Sequence, residues 1–422
     1  MKHKFIKNVS FQDIWTCLGP GEKSLCCTRN SGESGWESFI AWNPVAQYTG
    51  ADVEIWKKFV AQQQKYGRRV FGYLSFDLGY SLQKIKPHAR NVMQLPDIYF
   101  LAFDRYVRVR RYGLEACANN IADLESYGDE IGKILGREKS FKGAESKNKG
   151  EELRPIISYG QYAKSFEKIR RYIVDGHIYQ INLTHALKGV AAKSARELFL
   201  EIYEKNGADF SAYVEGNGFE ILSASPERFI KISKDRSIET FPIKGTRPRG
   251  ETQLEDAKLK LELEKSEKES AELFMITDLL RNDVGKICEF GSVSVESPRV
   301  MQRLPAVWHS FSHIKGQLKK NIRSTDALLS MFPGGSVSGC PKKRALEIID
   351  EVESDLRGVY TGAIGFVDPD DSSDFNIAIR SLIKKGKEVF LQVGGGIVYD
   401  SEPESEYQES LDKAKSFLGI LP

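Results

Sequence analysis

The chain has no apolar run long enough to cross a bilayer, which takes about 20 residues. Its basic start, Met1-Lys2-His3-Lys4-Phe5, is followed from Ile6 to Trp15 by a mixed stretch rather than the continuous apolar segment of a secretory leader. No Cys-x-x-Cys pair occurs among the six cysteines (Cys17, Cys26, Cys27, Cys117, Cys288, Cys340), and the adjacent Cys26-Cys27 is a poor start for a disulfide framework. They read as reduced thiols of the cytosol. Charge of one sign is also scarce. A net +3 over 422 residues, with lysines and acids interleaved as in Lys258 to Lys268, excludes a nucleic-acid footprint. Internal repeats are absent, and 41% hydrophobic with 28% charged residues is the composition of neither a disordered chain nor a fibre. What remains is a soluble globular protein, expected in the cytoplasm, with neither membrane nor nucleic acid as a partner.

The first part reads as short strands, with apolar Val70 to Phe76 and alternating Ile98 to Val109 around a helix from Val53 to Tyr66. From Ile121 to Glu152 the composition turns charged and glycine-containing, and Lys139 to Glu152 is the clearest connector. We place a boundary there, with an N-terminal region over 1–150 and a second region over 151–422. Beyond it, Phe166, Ile169, Tyr172 and Ile173 recur at helical spacing over Gln161 to Asp175, and Gly176 follows where a left-handed cap belongs. Strands are predicted at Glu220–Ser223, Phe229–Ser233, Ala306–Ile314, Thr361–Val367, Asp374–Ile383 and Glu388–Val393. Helices are predicted at Glu255–Leu280, Pro341–Val352, with Pro341 at the first helical position, and Glu404–Leu418. Short connections between strands suit antiparallel pairing, so the fold class is α+β.

Several segments carry chemistry. Lys244 sits in Pro242-Ile243-Lys244-Gly245-Thr246-Arg247-Pro248-Arg249, an amine between a proline and a glycine and a candidate nucleophile. The pairs Glu269/Glu272 and Glu406/Glu409 are spaced i, i+3, which puts both carboxylates of a pair on one helix face. Solvated surface acids would show the same spacing. Gly334-Gly335-Ser336-Val337-Ser338-Gly339-Cys340-Pro341-Lys342 looks superficially like a phosphate loop, but Cys340-Pro341 separate Gly339 from the lysine such a loop needs. Gly394-Gly395-Gly396 can present backbone amides to a carboxylate with no Cβ in the way.

In this order, Lys-Gly-Thr, acidic helix, Gly-Gly-Ser loop, triple glycine and second acidic helix, the chain resembles the chorismate-utilising enzymes. The likeness is strongest over Tyr159 to Phe417, and Gly72 to Tyr80 matches a further family segment. The resemblance implies a fold of two antiparallel sheets packed as a sandwich with helices outside, in which the N-terminal region packs on the catalytic one. It also implies Mg2+ as cofactor. Glu272 and Glu409 are then the surest ligands, with Glu269 and Glu406 beside them or acting through water. The family usually has arginine where this chain has Ser270, and its usual alanine is replaced by Cys340. By the same resemblance Ser336 supplies a hydroxyl contact and Arg380, on a strand from Phe375 to Leu382, pairs with the enolpyruvyl carboxylate of chorismate. Gly394, Gly395 and Gly396 bind a substrate carboxylate, and Gly245, Thr246, His309, Tyr360 and Lys413 line the pocket. An ordinary strand ion pair for Arg380 and a structural role for His309 stand as alternatives.

Lys244 occupies the position that is typically alanine in anthranilate-forming members and lysine in the component I chains that form 4-amino-4-deoxychorismate. The implied role is attack by the amine on C2, with Glu227, in Ser225-Pro226-Glu227-Arg228-Phe229, protonating the departing C4 hydroxyl. Arg247 and Arg249 are expected to supply nearby positive charge that favours the neutral amine. Gln180 stands where members that add water carry lysine, which disfavours water addition. Anthranilate formation is the alternative within the family, and a catalytically silent metal- or carboxylate-binding module the alternative outside it. No segment resembles a glutamine amidotransferase or a lyase. Ammonia is therefore expected free or from a separate glutaminase subunit, and a separate lyase is expected to act downstream on the route to 4-aminobenzoate and folate.

Overall fold

The computed structural model describes residues 2–19, 22–24, 26–30, 35–138, 150–303 and 307–421. The connector predicted over 139–152 lies outside them except for its last three residues, as do Met1 and the predicted strand start Ala306.

Two sheets, of twelve and ten strands, form the frame, and every strand pairing among the described residues is antiparallel. Their central strands alternate between two buried faces. In Ile98–Phe103, residues Tyr99, Leu101 and Phe103 point into a core shared by both sheets, while Ile98, Phe100 and Ala102 face outward. The period of two makes both faces apolar because each sheet is covered on both sides. In the shared core Phe39 of the twelve-stranded sheet makes edge-to-face contact with Phe71 and Phe366 of the ten-stranded one, with Ile221 and Phe390 beside it. Outside the ten-stranded sheet pack Val53–Lys65, Glu267–Ile287 and Ser324–Met331. Outside the twelve-stranded sheet pack Phe11–Cys17, Ile121–Leu135 and Ala195–Asn206. This is the α+β sandwich with external helices.

Strands from both sides of residue 150 share both sheets: Cys26–Arg29 pairs with Phe210–Gly216, and Arg69–Leu74 with Ala363–Val367. All six cysteines are free, and no helix among the described residues is long and apolar enough to cross a membrane.

Four predicted elements need correction. Ile98–Val109 is two strands, Ile98–Phe103 in the ten-stranded sheet and Arg105–Arg110 in the twelve-stranded one, with Asp104 as the crossing. Asp374–Ile383 likewise divides into Ser373–Ile377 and Ser381–Lys385, one in each sheet. Such corners are where a strand leaves one layer for the other. Glu255–Leu280 breaks at Ser266 into Gln253–Lys265 and Glu267–Ile287, because the Ser266 hydroxyl accepts from Glu269 N (3.4 Å) and starts a second helix. Pro341 is the cap of Lys342–Val352 rather than its first residue. Elsewhere the reading is close: Ser158 and Gln161 form a capping box for Tyr159–Val174. Gly176 beyond it is left-handed at φ +75°.

Candidate active site

The floor is the pairing of Gln180–Val190 with Glu388–Ile397, in which Asn182, Leu183 and Thr184 face Gly396, Gly395 and Gly394. Lys244 reaches this floor from the other sheet, on Ile243–Pro248. A Cβ on Gly396 would lie 2.8 Å from Gln180 Nε2 and 3.0 Å from Lys244 Nζ, so only glycine leaves both groups their place. Gly245, beside the lysine, is left-handed at φ +85°, and a Cβ there would meet Glu269 Oε2 at 2.7 Å. The Lys-Gly step is thus fixed by backbone conformation and by the first acidic helix together.

Glu227 occupies Pro226-Glu227, the crossing from Phe219–Ser225 in one sheet to Arg228–Ile232 in the other. It is buried, accepts a hydrogen bond from Ser336 Oγ at 3.0 Å, and lies within electrostatic reach of Lys244. Burial pushes its carboxyl up to about 7 against the opposing pull of Ser336, Lys244 and the Ile243 amide. The site therefore contains a carboxylic acid able to hold a proton near neutrality.

Arg380 does not lie on a strand, contrary to the sequence reading. It stands in the return crossing between Ser373–Ile377 and Ser381–Lys385, at φ +49°, an uncommon conformation for a residue other than glycine. Burial lowers the pKa of its guanidinium, and no acid among the described residues counters it. Burial, then the charge of Arg380, also lowers His309 to about 4, leaving a neutral imidazole. His309 Nδ1 is 3.0 Å from Thr246 Oγ1, while its Nε2 is buried without a partner among the described residues. Gln180 Oε1 and Glu269 Oε2 are in the same condition. These three unpartnered atoms lie on segments that meet around Lys244-Gly245-Thr246, and buried polar groups usually find a partner. Tyr360 is buried near Arg357 and Glu353, and burial raises its hydroxyl well above the usual tyrosine range.

The acidic pairs flank the lysine. Glu272 Oε2 is 3.8 Å from Lys244 Nζ, and Glu409 on Pro403–Ala414 feels the charges of Lys413, Lys244 and Lys268. Burial works to raise Glu409, but those cations outweigh it and hold the carboxyl low. Burial, then the neighbouring Glu409, raises Glu406, whose Oε1 accepts from Ser401 Oγ at 2.7 Å. Lys413 Nζ pairs with Glu409 (2.9 Å) and donates to Gly394 O (2.9 Å), tying the second acidic helix to the triple glycine. One sequence expectation fails here. Arg247 and Arg249 are engaged by acids of their own, Arg247 with Glu269 (2.7 Å) and Arg249 with Asp256 (2.6 Å), so neither is free to act on the amine. Among the described residues no group of three or more His, Cys, Asp or Glu side chains is gathered to hold a metal ion without further ligands, and magnesium usually takes only one or two protein carboxylates. One residue the sequence reading missed is Lys268, whose charge reaches both Glu406 and Glu409. In sequence it is one more lysine of a charged helix.

The seam between the two sheets thus gathers an amine, a protonatable acid, an arginine with no acid partner among the described residues and a glycine floor. Residues 25–419 match the chorismate binding enzymes, and the chain belongs to that family. More narrowly, it is a chorismate-utilising enzyme of the anthranilate and aminodeoxychorismate synthase component 1 group. It is 36% identical over 367 residues to an anthranilate synthase component 1 of Haloarcula marismortui, covering 83% of this chain and 75% of that one. It is 34% identical over 357 residues to aminodeoxychorismate synthase component 1 of Bacillus subtilis, covering 81% and 74%. Its fold matches the crystal structure of anthranilate synthase component I from Streptococcus pneumoniae at TM-score 0.80, 25% identity and 99% of both chains.

Proposed function

We propose that the protein is component I of an aminodeoxychorismate synthase, converting chorismate and ammonia to 4-amino-4-deoxychorismate. The observation that carries this reading is Lys244 Nζ, held over the Gly396 floor and within charge reach of the buried acid Glu227. The amine attacks C2 of the ring, the double bonds shift, and the C4–O bond breaks as Glu227 protonates the departing hydroxyl to water. The resulting secondary ammonium returns a proton to Glu227. Ammonia then bonds to C4, the C2–N bond breaks, and the new ammonium gives its proton to the departing lysine. Arg380 pairs with the enolpyruvyl carboxylate, an interaction suited to a planar fork. His309, Thr246, Gly245, Ser336, Tyr360 and Lys413 shape the pocket, and the amides of Gly394, Gly395 and Gly396 receive a substrate carboxylate.

Mg2+ fits the acidic pairs chemically. They offer hard oxygens, among them the unpartnered Glu269 Oε2 and the loosely paired Glu272, and magnesium usually takes one or two protein carboxylates and keeps its waters. Glu272 and Glu409 would hold it, with Glu269 and Glu406 alongside or through water. When bound it neutralises and orients the ring carboxylate. Ammonia comes from a separate glutamine amidotransferase subunit, and a separate lyase completes 4-aminobenzoate in the cytoplasm.

The test is product analysis after incubation with chorismate, Mg2+ and an ammonium salt, with and without aminodeoxychorismate lyase. Lyase-dependent 4-aminobenzoate is the expected result. Anthranilate would overturn the reading in favour of the second one, which the 36% and 38% identities to Haloarcula anthranilate synthase chains support. A companion experiment concerns Gln180, whose amide nitrogen lies at the same floor position as the lysine. Gln180→Lys is expected to divert chorismate into isochorismate or hydrolysis products, and a variant giving none would remove Gln180 from the choice between water and ammonia.

A further inference from the structure

Beneath the site lies an arginine that no step above uses. Arg357 is 1% exposed and spends its donors on four partners from separate segments. Nε and Nη2 grip Glu353 at 2.9 and 2.7 Å; Nη1 donates to Val337 O at 2.9 Å and to Thr361 Oγ1 at 3.3 Å; Nη2 also donates to Asn182 O at 2.6 Å. Glu353 in turn accepts from Thr184 N at 2.9 Å. Asp77 accepts from the backbone N–H groups of Arg357 and Gly358, and the Phe76 ring lies 4.4 Å under the guanidinium.

Three of the tied segments carry residues of the candidate site. Val337 follows Ser336, which donates to Glu227. Asn182 and Thr184 belong to the strand that begins at Gln180 and pairs with the triple glycine. Thr361, itself left-handed at φ +61°, follows Tyr360. We infer that Arg357, clamped by Glu353, is the positioning residue that fixes the Ser336 loop, the Gln180 strand and the Tyr360 turn relative to one another. A guanidinium suits this task because its planar fork donates in several fixed directions at once, which an ammonium cannot reproduce. The inference rests on the proposed role of Glu227 as the acid, since its readout passes through that group.

The charged or titratable groups facing the guanidinium are Glu353, Asp77, Tyr80 and Tyr360. Those facing Glu227 are Lys244 and, as hydrogen-bond donors, Ser336 and the Ile243 amide. The Ser336 bond holds the Glu227 proton less tightly than burial alone would. Freeing the Ser336 loop therefore raises the pH at which the acid ionises. Arg357→Lys is expected to keep the wild-type circular dichroism spectrum at assay temperature, to lose about 100-fold in kcat, and to move the high-pH limb of kcat upward. Glu353→Gln, which keeps the shape and an oxygen acceptor for Thr184 N, is expected to move the same limb in the same direction and serves if Arg357→Lys does not fold. A folded variant whose limb stays at the wild-type position, with activity scaling only with its folded fraction, would overturn the inference. Wild-type product identity is measured alongside. A product other than 4-amino-4-deoxychorismate defeats the functional reading while the limb shift still scores Arg357.

Discussion

Lys244→Ala is expected to lower formation of 4-amino-4-deoxychorismate by about 10³-fold, some 4 kcal/mol of transition-state stabilisation, or to change the product to anthranilate. The side chain is mostly buried, its nitrogen 3.8 Å from Glu272 and poised over Gly396. An amine in that position has two uses: as a nucleophile toward C2, and as an obstacle to ammonia reaching C2 directly. Alanine removes both. Loss of turnover marks the first use, and appearance of anthranilate marks the second. A salt-bridge lysine would do neither, so full turnover to the unchanged product would sink the covalent mechanism. An independent readout is the intact mass of wild-type enzyme incubated with chorismate without ammonia, where a covalent adduct should accumulate and vanish in the variant.

Glu227→Gln should cost about 10²- to 10⁴-fold in kcat, the usual worth of a positioned proton donor. In the wild type the acid holds its proton up to about pH 7, so activity that depends on it falls as pH rises through that value. The glutamine variant should lack this limb. Wild-type stability should depend on pH in the same direction. A carboxyl raised to about 7 from its usual 4.5 binds its proton more tightly folded than unfolded. Its contribution is fully present below pH 4.5 and is lost as pH climbs through 7. Replacing it with a neutral isostere that can still accept from Ser336 removes the burden of a buried charge. Thermal melts should therefore place Glu227→Gln at or above wild type at pH 8, with the gap closing toward pH 5. A variant less stable than wild type at pH 8 would mean that the charged form is solvated and Glu227 is no reservoir of a proton.

Local signals carried much of the fold reading. The helix over Gln161–Asp175 has an apolar stripe, a capping pair and a terminal glycine, all within 20 residues of one another, and the structure places it within two residues of the expectation. The layer changes were illegible for the opposite reason. Ile98 to Val109 and Asp374 to Ile383 contain no glycine or proline at the crossings, and a single Asp104 in the first and Ala378-Ile379-Arg380 in the second are weak marks of the point where a strand leaves one sheet for another. Arg380 was misplaced with them. The acidic pairs and Lys244 were legible through resemblance, since their spacing alone also describes solvated helix surface. What no local reading finds is a tie such as Arg357 to Asn182, 175 residues apart, or the engagement of Arg247 by Glu269, which only the packed chain reveals.

The two crossings at the seam have a mechanical meaning. Glu227 stands where the chain passes from the twelve-stranded sheet to the ten-stranded one, and Arg380 where it passes back. Each is a pin driven through both layers, so any sliding of one sheet over the other would drag acid and arginine along with it. The aromatic filling between the layers, Phe39, Phe71 and Phe366, resists that sliding. It thereby acts as the bearing on which the spacing of Glu227 and Arg380 is set.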